Sequence, residues 1–283
     1  NDKYPPQQHR VNSTGSATKQ SAAEQMWSEL EPGQRRRDLL RPFFQIINFG
    51  FIIPFLAVWT VGLSILSMPV ALFSRRAQFH IGTLWAWVMC RVALTPVSIV
   101  GQDNADPDAS YVLMSNHQSH FDVLAFYGHY GRQFRWVLKE ELRNVPGLGW
   151  FCAAGGHLFI DRSSREKAIA SLKRAAPLLK GGISVMIFPE GTRSTSGRML
   201  PFKKGGFMMA LDLGLPILPV SISGSRHVLP NKTLWVLPSK IEITIHEPVQ
   251  TAEYGLERRD ELMAEVRRRI ASGLSDWERA EED

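Results

Sequence analysis

Cysteine is nearly missing from this chain: Cys90 and Cys152 are the two in 283 residues. Their separation excludes both a disulfide framework and thiolate spacing for zinc, and two reduced thiols fit a cytosol-facing domain. No internal repeat is present, and no nucleic-acid motif accompanies the basic balance of 33 Lys and Arg against 27 Asp and Glu. A net charge of +6 without such a motif points instead to anionic lipid or phosphorylated small molecules. Charge itself is missing from Phe43 to Phe73, a run long enough to cross a bilayer, which needs about 20 apolar residues. The polar stretch ahead of that run, together with its length, argues against a signal peptide.

What is there divides into three parts. Residues 1–40 are polar, rich in Pro, Gln, Ser, Thr and Asn, and read as a disordered tail with a short helix from Ala22 to Leu30. Residues 41–100 hold two apolar segments, Phe43–Phe73 and Ile81–Val100, separated by Arg75 and Arg76. Pro54 and Pro69 can each kink or end a helix there. Basic residues flank the first segment on both sides, so no positive-inside asymmetry sets an orientation. That favours a helical hairpin in one leaflet over a true span.

From residue 101 to 283 short β-prone runs alternate with helical patterns, which predicts an α/β domain around a central sheet. The strands expected are Tyr111–Met114, Phe134–Leu138, His157–Ile160, Ser184–Phe188, Ile217–Ser221 and Ile241–His246. The helices expected are Phe121–Tyr130, Glu141–Ala154, Arg165–Leu179 and Gly205–Leu213, followed by an amphipathic helix over 256–277.

Chemistry concentrates in the box from Ser115 to Asp122. If a strand ends at Met114 and a helix starts near Phe121, the turn between them folds His117 back onto Asp122. A carboxylate against an imidazole fixes its tautomer and prepares the other ring nitrogen to take a proton. No serine or cysteine nucleophile with a recognisable motif lies nearby, so the proton would come from a substrate hydroxyl. His117, His120 and Asp122 also offer three metal ligands, a reading that would leave the other charged boxes without a purpose. Those boxes follow other strands. Phe188-Pro189-Glu190-Gly191-Thr192-Arg193-Ser194 presents Glu190 to a polyol and Arg193 to a phosphate, which a guanidinium grips through two parallel hydrogen bonds. Gly156-His157-Leu158-Phe159-Ile160-Asp161-Arg162 ends in a second cation, and Lys139 could add a third. The prolines of Leu215-Pro216-Ile217-Leu218-Pro219 frame a buried strand and are architectural.

Together these four ordered boxes resemble the glycerolipid acyltransferases of the lysophosphatidic acid acyltransferase type, over about Tyr111 to Val249. Lys139-Glu140-Glu141-Leu142 and Leu200-Pro201-Phe202-Lys203-Lys204-Gly205 are similar to that family too. The resemblance implies a mixed central sheet flanked by helices, preceded by a two-helix membrane motif. It implies His117 as general base and Asp122 as its orienting partner, with no acyl-enzyme. Glu190, Gly191 and Thr192 would position the acceptor, and Arg193, helped by Arg162 and Lys139, would hold its phosphate. The expected reaction acylates the sn-2 hydroxyl of 1-acyl-glycerol-3-phosphate to give phosphatidic acid. Glycerol 3-phosphate, another lysophospholipid and a lyso-ornithine lipid are alternative acceptors, although Gln118-Ser119 leans toward lysophosphatidate. A non-catalytic membrane-binding protein is the reading from another class. No metal or cofactor is expected. The partners expected are the lipid bilayer, lysophosphatidic acid and acyl-CoA or acyl carrier protein, with no nucleic acid. The catalytic domain is expected at a membrane, facing the cytoplasm.

Overall fold

A computed structural model describes residues 46–145, 148–161, 163, 164, 167, 171, 177, 179, 181–231 and 233–279. The helices expected at Ala22–Leu30 and across most of Arg165–Leu179 therefore lie outside the described residues.

Seven strands form one sheet in the order β1-β7-β6-β2-β5-β3-β4. They are β1 (Val97–Val100), β2 (Val112–Ser115), β3 (Phe134–Lys139), β4 (Leu158–Ile160), β5 (Ser184–Ile187), β6 (Ile217–Ser223) and β7 (Ile241–Ile245). Pairing is parallel except between β6 and β7, so the sheet is mixed, as expected. The apolar runs are continuous because both faces are covered. Leu113 points into one core with Phe126, Phe134 and Met186, while its neighbours Val112 and Met114 point into the other with Phe207, Val266 and Ile270. Helices α2 (Arg75–Val92) and α3 (His120–His129) contribute to the first layer. Helices α5 (Lys204–Leu213) and α7 (Arg259–Ser272) contribute to the second. Pro219 is tolerated inside β6 because it falls between the Ile217–Val249 bridge and the β7 register, which begins at Val220.

Three elements differ from expectation. The second apolar segment is not one helix. α2 ends at Val92, Leu94 takes φ 52°, and Val97–Val100 becomes edge strand β1. Pro96 disfavours a helical Thr95, and the β-branched residues that follow suit a strand. The helix expected over Glu141–Ala154 splits into a 3₁₀ turn, Glu140–Asn144, and α4 (Leu148–Ala154). Gly149 makes that junction possible, since a Cβ there would sit 2.1 Å from the Arg143 carbonyl oxygen. The C-terminal helix is shorter than its apolar pattern: α7 stops at Ser272, and Leu256 and Trp277 lie outside it.

Helix α1 (Ile53–Phe73) continues a π-helical turn at Asn48–Ile52. Pro54 occupies the first turn, where its missing N–H is harmless, and Pro69 lies one turn from the end. The stretch Asn48–Phe73 is long and apolar enough to cross a membrane. It is fastened to the domain at two levels. Asn48 donates to the Val236 carbonyl at 2.8 Å, and the Trp85 indole of α2 donates to Thr60 at 3.0 Å. Val58, Ile65, Leu72 and Phe73 remain exposed on its outer side.

Helices α2 and α3 approach closely at Gly128, where a Cβ would lie 2.8 Å from the Trp87 nitrogen. Backbone cannot yield as a side-chain end can. Gly128→Val should therefore destabilise the fold by about 1–3 kcal/mol despite valine's better helix propensity. Urea unfolding in detergent measures it, and unchanged stability would remove the close approach as a constraint.

Candidate active site

The site begins with Asn116, just past the end of β2. Its side chain pairs with the β6 backbone like an extra ladder rung, donating to the Ile222 carbonyl at 2.8 Å and accepting from the Ile222 amide at 2.9 Å. The next residue, His117, thereby leaves the sheet at a fixed point. Ser119 caps α3, with Asp122 closing a reciprocal capping box. One oxygen of Asp122 gathers three donors: the Gln118 amide at 2.7 Å, the Ser119 amide at 2.8 Å and His117 Nδ1 at 2.7 Å. Since that oxygen is an acceptor, Nδ1 carries the proton and Nε2 keeps its lone pair. Phe188 stacks on the imidazole at 3.8 Å and 9°, and Trp136 stacks behind Phe188. His117 is thus held in plane and in tautomer, with its side chain 15% exposed.

The second box closes on the first. Glu190, 2% exposed, accepts from the His117 amide at 2.8 Å through one oxygen and from the Leu200 amide at 3.0 Å through the other. The Ser194 amide donates to the His117 carbonyl at 2.8 Å. Glu190 therefore faces inward, and the expectation that it offers its carboxylate to a polyol does not match this placement: two backbone amides already occupy it. Burial pushes its carboxyl up to about 8, although the amides of Leu200 and His117 pull the other way. Gly191 takes φ +72° and donates its N–H to the Phe188 carbonyl at 3.0 Å, which forms the tight turn. Thr192 is exposed and Arg193 half-exposed beyond it.

Arg193 has no ion pair among the described residues. Its charge reaches His120, which desolvation, then Arg193 and His117, hold below the ordinary histidine value. Lys139 ends β3 on the same rim, exposed to solvent. Arg162 lies outside the described residues, but Asp161 beside it is engaged by the Ser163 amide at 2.9 Å and by Lys167 at 3.7 Å. Among the described residues no group of His, Cys, Asp and Glu is arranged to hold a metal. Gln118 and Ser119 face inward, donating to Glu278 at 3.0 Å and to the Leu229 carbonyl at 2.7 Å, rather than toward an acceptor.

Three contributors escaped the sequence reading. Phe188 was read only as the end of a strand. Lys203 crosses Gly191 so closely that a Cβ there would meet its Nζ at 2.9 Å, which puts another cation at the turn. Glu278, 1% exposed, accepts from Gln118, Ser223, Ser275 and the Gly224 amide, joining the C-terminal segment to the catalytic turn. Beside the turn opens a cleft of about 760 Å³ that shares Phe188, Pro189 and Gly191 with it and is lined by Val137, Ile160 and Met208.

Residues 96–223 match the Acyltransferase family model. The chain is 31% identical over 274 residues to the chloroplastic 1-acyl-sn-glycerol-3-phosphate acyltransferase of Arabidopsis thaliana, covering 94% of this chain and 71% of that protein. It is 31% identical over 208 residues to 1-acyl-sn-glycerol-3-phosphate acyltransferase alpha of Mus musculus, covering 72% and 73%. Other relatives are longer: the chain spans 60% of a Chlamydomonas reinhardtii 1-acyl-sn-glycerol-3-phosphate acyltransferase and 59% of a chloroplastic one from Brassica napus. Among solved structures, the 1-acyl-sn-glycerophosphate acyltransferase PlsC of Thermotoga maritima superposes with a TM-score of 0.66 at 28% identity, over 85% of this chain and 95% of that one.

Two buried carboxylates yield predictions. Glu190 holds its proton in the folded chain up to about pH 8 and in the unfolded chain only to about 4.5. The folded state then binds more protons between those values, so this group's contribution is complete below pH 4.5 and is lost as pH rises through 8. Glu190→Gln should flatten that decline and, by setting an amide N–H against a backbone N–H, cost about 1–3 kcal/mol at pH 5. Denaturant midpoints across pH 5 to 8.5 measure both effects, and an unchanged slope would overturn the assignment. Glu278→Ala should lower turnover at constant catalytic-residue content while Glu278→Gln restores part of it. Equal loss in both variants would mean that Glu278 does not act by bracing Gln118.

Proposed function

The chain belongs to the acyltransferase family that includes the 1-acyl-sn-glycerol-3-phosphate acyltransferases, and on that premise we propose that it transfers an acyl group from a thioester to the free sn-2 hydroxyl of 1-acyl-glycerol-3-phosphate, giving phosphatidic acid. The observation that carries this reading is the 2.7 Å His117–Asp122 pair, its free nitrogen beside a turn bearing Arg193 and Lys203. A base near unneutralised cations suits an acceptor with a hydroxyl close to a phosphate.

His117 Nε2 takes the proton of the acceptor hydroxyl as its oxygen attacks the thioester carbon. The C–S bond breaks, and the imidazolium returns the proton to the departing sulfur. Asp122 stabilises the imidazolium in between. Because a thioester is already activated, positioning and proton removal carry most of the acceleration, and no chain nucleophile is required. Arg193 is the principal phosphate ligand, with Lys139 and Arg162 assisting. Gly191 and Thr192 shape the acceptor side of the turn. The apolar cleft beside Phe188 suits an acyl chain, delivered on acyl-CoA or acyl carrier protein. In this reading helix α1 lies in the membrane interface, with the domain on the cytoplasmic side; the fastening at Asn48 and Thr60, which ties the apolar stretch to the domain, supports the one-leaflet placement.

His117→Ala should reduce thiol release from acyl-CoA with lysophosphatidic acid by about 10²–10⁴-fold, the usual share of general base help. Full activity would sink the base assignment. Arg193→Ala should raise the acceptor KM and leave unaided thioester hydrolysis unchanged. An equal loss with a phosphate-free acceptor would make Arg193 structural.

A further inference from the structure

A second concentration of positive charge lies at the other end of the sheet. A pocket of about 350 Å³ is lined by Arg75, Arg76, Gln133, Arg135, Gly156 and neighbouring apolar groups. Gln133 precedes β3 and Gly156 precedes β4, so the pocket opens at the N-terminal rim, whereas His117 and Glu190 follow the C-terminal ends of β2 and β5. The two sites are thus about one strand length apart, on the order of 15–20 Å.

The arginines here are arranged against their own electrostatics. Arg75 and Arg76 occupy the first turn of α2, where the helix dipole disfavours cations, and no acidic residue shares that turn. Arg135 is 4% exposed, yet among the described residues its guanidinium bonds only the Phe134 carbonyl at 3.0 Å and the Gln133 side chain at 3.1 Å. No carboxylate pairs with any of the three among the described residues. Arg75 and Arg135 converge over Gly156, where a Cβ would lie 3.5 Å from both Arg135 Nε and Arg75 Cδ. Nε of Arg135 has no acceptor among the described residues, and burial, reinforced by Arg75 and opposed by Tyr127, lowers the affinity of Arg135 for its proton. Arg75 is exposed while Arg135 is buried, so an anion between the two guanidiniums would face charge on one side and little competing water on the other.

The pocket's place in the fold identifies the source of that anion. Arg75 and Arg76 follow Leu72 and Phe73, the exposed end of α1, at 83% and 91% exposure. A helix lying in the interface puts such apolar side chains among acyl chains and the next residues among headgroups. The other end of the apolar stretch reaches Val236 through Asn48, next to the segment whose Leu229 carbonyl accepts from Ser119. A flat α1 therefore brings the catalytic rim and the arginine pocket to the same lipid surface. We propose that Arg75, Arg76 and Arg135 form a headgroup site for the phosphate of an anionic phospholipid, separate from the acceptor site, that docks the N-terminal rim on the membrane. The proposal rests on the membrane placement of α1.

Co-sedimentation of the full chain with vesicles tests it, using phosphatidylcholine alone and phosphatidylcholine containing phosphatidylglycerol. The wild type should bind the anionic vesicles about 10–30-fold more tightly, at roughly a factor of five for each of the two exposed arginines, Arg75 and Arg76. Arg75→Gln/Arg76→Gln should lose that preference, keep its binding to neutral vesicles and retain turnover of a water-soluble short-chain acceptor, which also certifies folding. Arg258→Gln/Arg268→Gln, at arginines paired with glutamates around α7, should keep the preference. Retention of the preference in the first variant, or equal loss in the second, would overturn the pocket. Loss of the preference in millimolar inorganic phosphate would assign the pocket to free phosphate and overturn the lipid source. Failure of the wild type to bind either vesicle would overturn the lipid source together with the placement of α1, while short-chain turnover reports separately on acyl transfer.

Discussion

The peptide unit of His117 is held from both sides by the turn that follows β5. Its N–H goes to Glu190, and its carbonyl takes the Ser194 amide. Two segments some seventy residues apart in sequence become one rigid piece through these bonds. His117 and the cation-bearing turn then cannot move independently. If the chain carries out the proposed acyl transfer, displacement of one relative to the other by an ångström would be costly, so this clamp is the constraint that the proposed site requires. Asn116 on β6, the capping box on α3 and the stacked Phe188 each fix one remaining degree of freedom of the same imidazole.

A common device runs through the buried acids. Asp122, Glu190 and Glu278 are all almost fully buried, and the hydrogen bonds each accepts among the described residues come from backbone amides and uncharged or histidine side chains rather than from a lysine or arginine. Hydrogen bonds to the charged form can offset desolvation without a counter-ion. For Glu190 they do so incompletely, which is why burial still dominates its titration. The consequence lies outside the core. Cations without an ion pair among the described residues, Arg193 and Arg75 among them, keep a net positive charge that would attract phosphate.

How much of this was legible in the sequence depends on how local each constraint is. His117 and Asp122 could be read because a strand, a turn and a capped helix bring positions five apart together by backbone geometry alone. Glu190 was found, but its direction was misjudged: whether a carboxylate on a turn faces solvent or a neighbouring peptide is decided by a segment far away in the chain. Glu278 gave no signal, since it follows the last helix and acts on Gln118 through the closure of the whole fold. The strand at Val97–Val100 was absorbed into an apolar run because hydrophobicity does not distinguish a membrane helix from an edge strand. The local evidence was Pro96 and the β-branched residues after it.

The apolar stretch and the arginines that follow it bear on how the α/β domain would sit against a lipid surface. A helix apolar on every side has no reason to stay on a protein surface in water, yet Asn48 and Thr60 tie it there. That conflict disappears if the outer side meets lipid while the inner side meets α2. The domain then lies along the interface rather than hanging from it. A lysolipid acceptor would need to rise only as far as its glycerol to reach His117, leaving its acyl chain in the leaflet. Such a geometry requires the long axis of α1 to stay parallel to the surface. An apolar face alone sets depth but leaves rocking about the helix largely free. A charged contact beyond one end of α1, at Arg75 and Arg76, would oppose that rocking and so set the height at which the rim bearing His117 meets the headgroups.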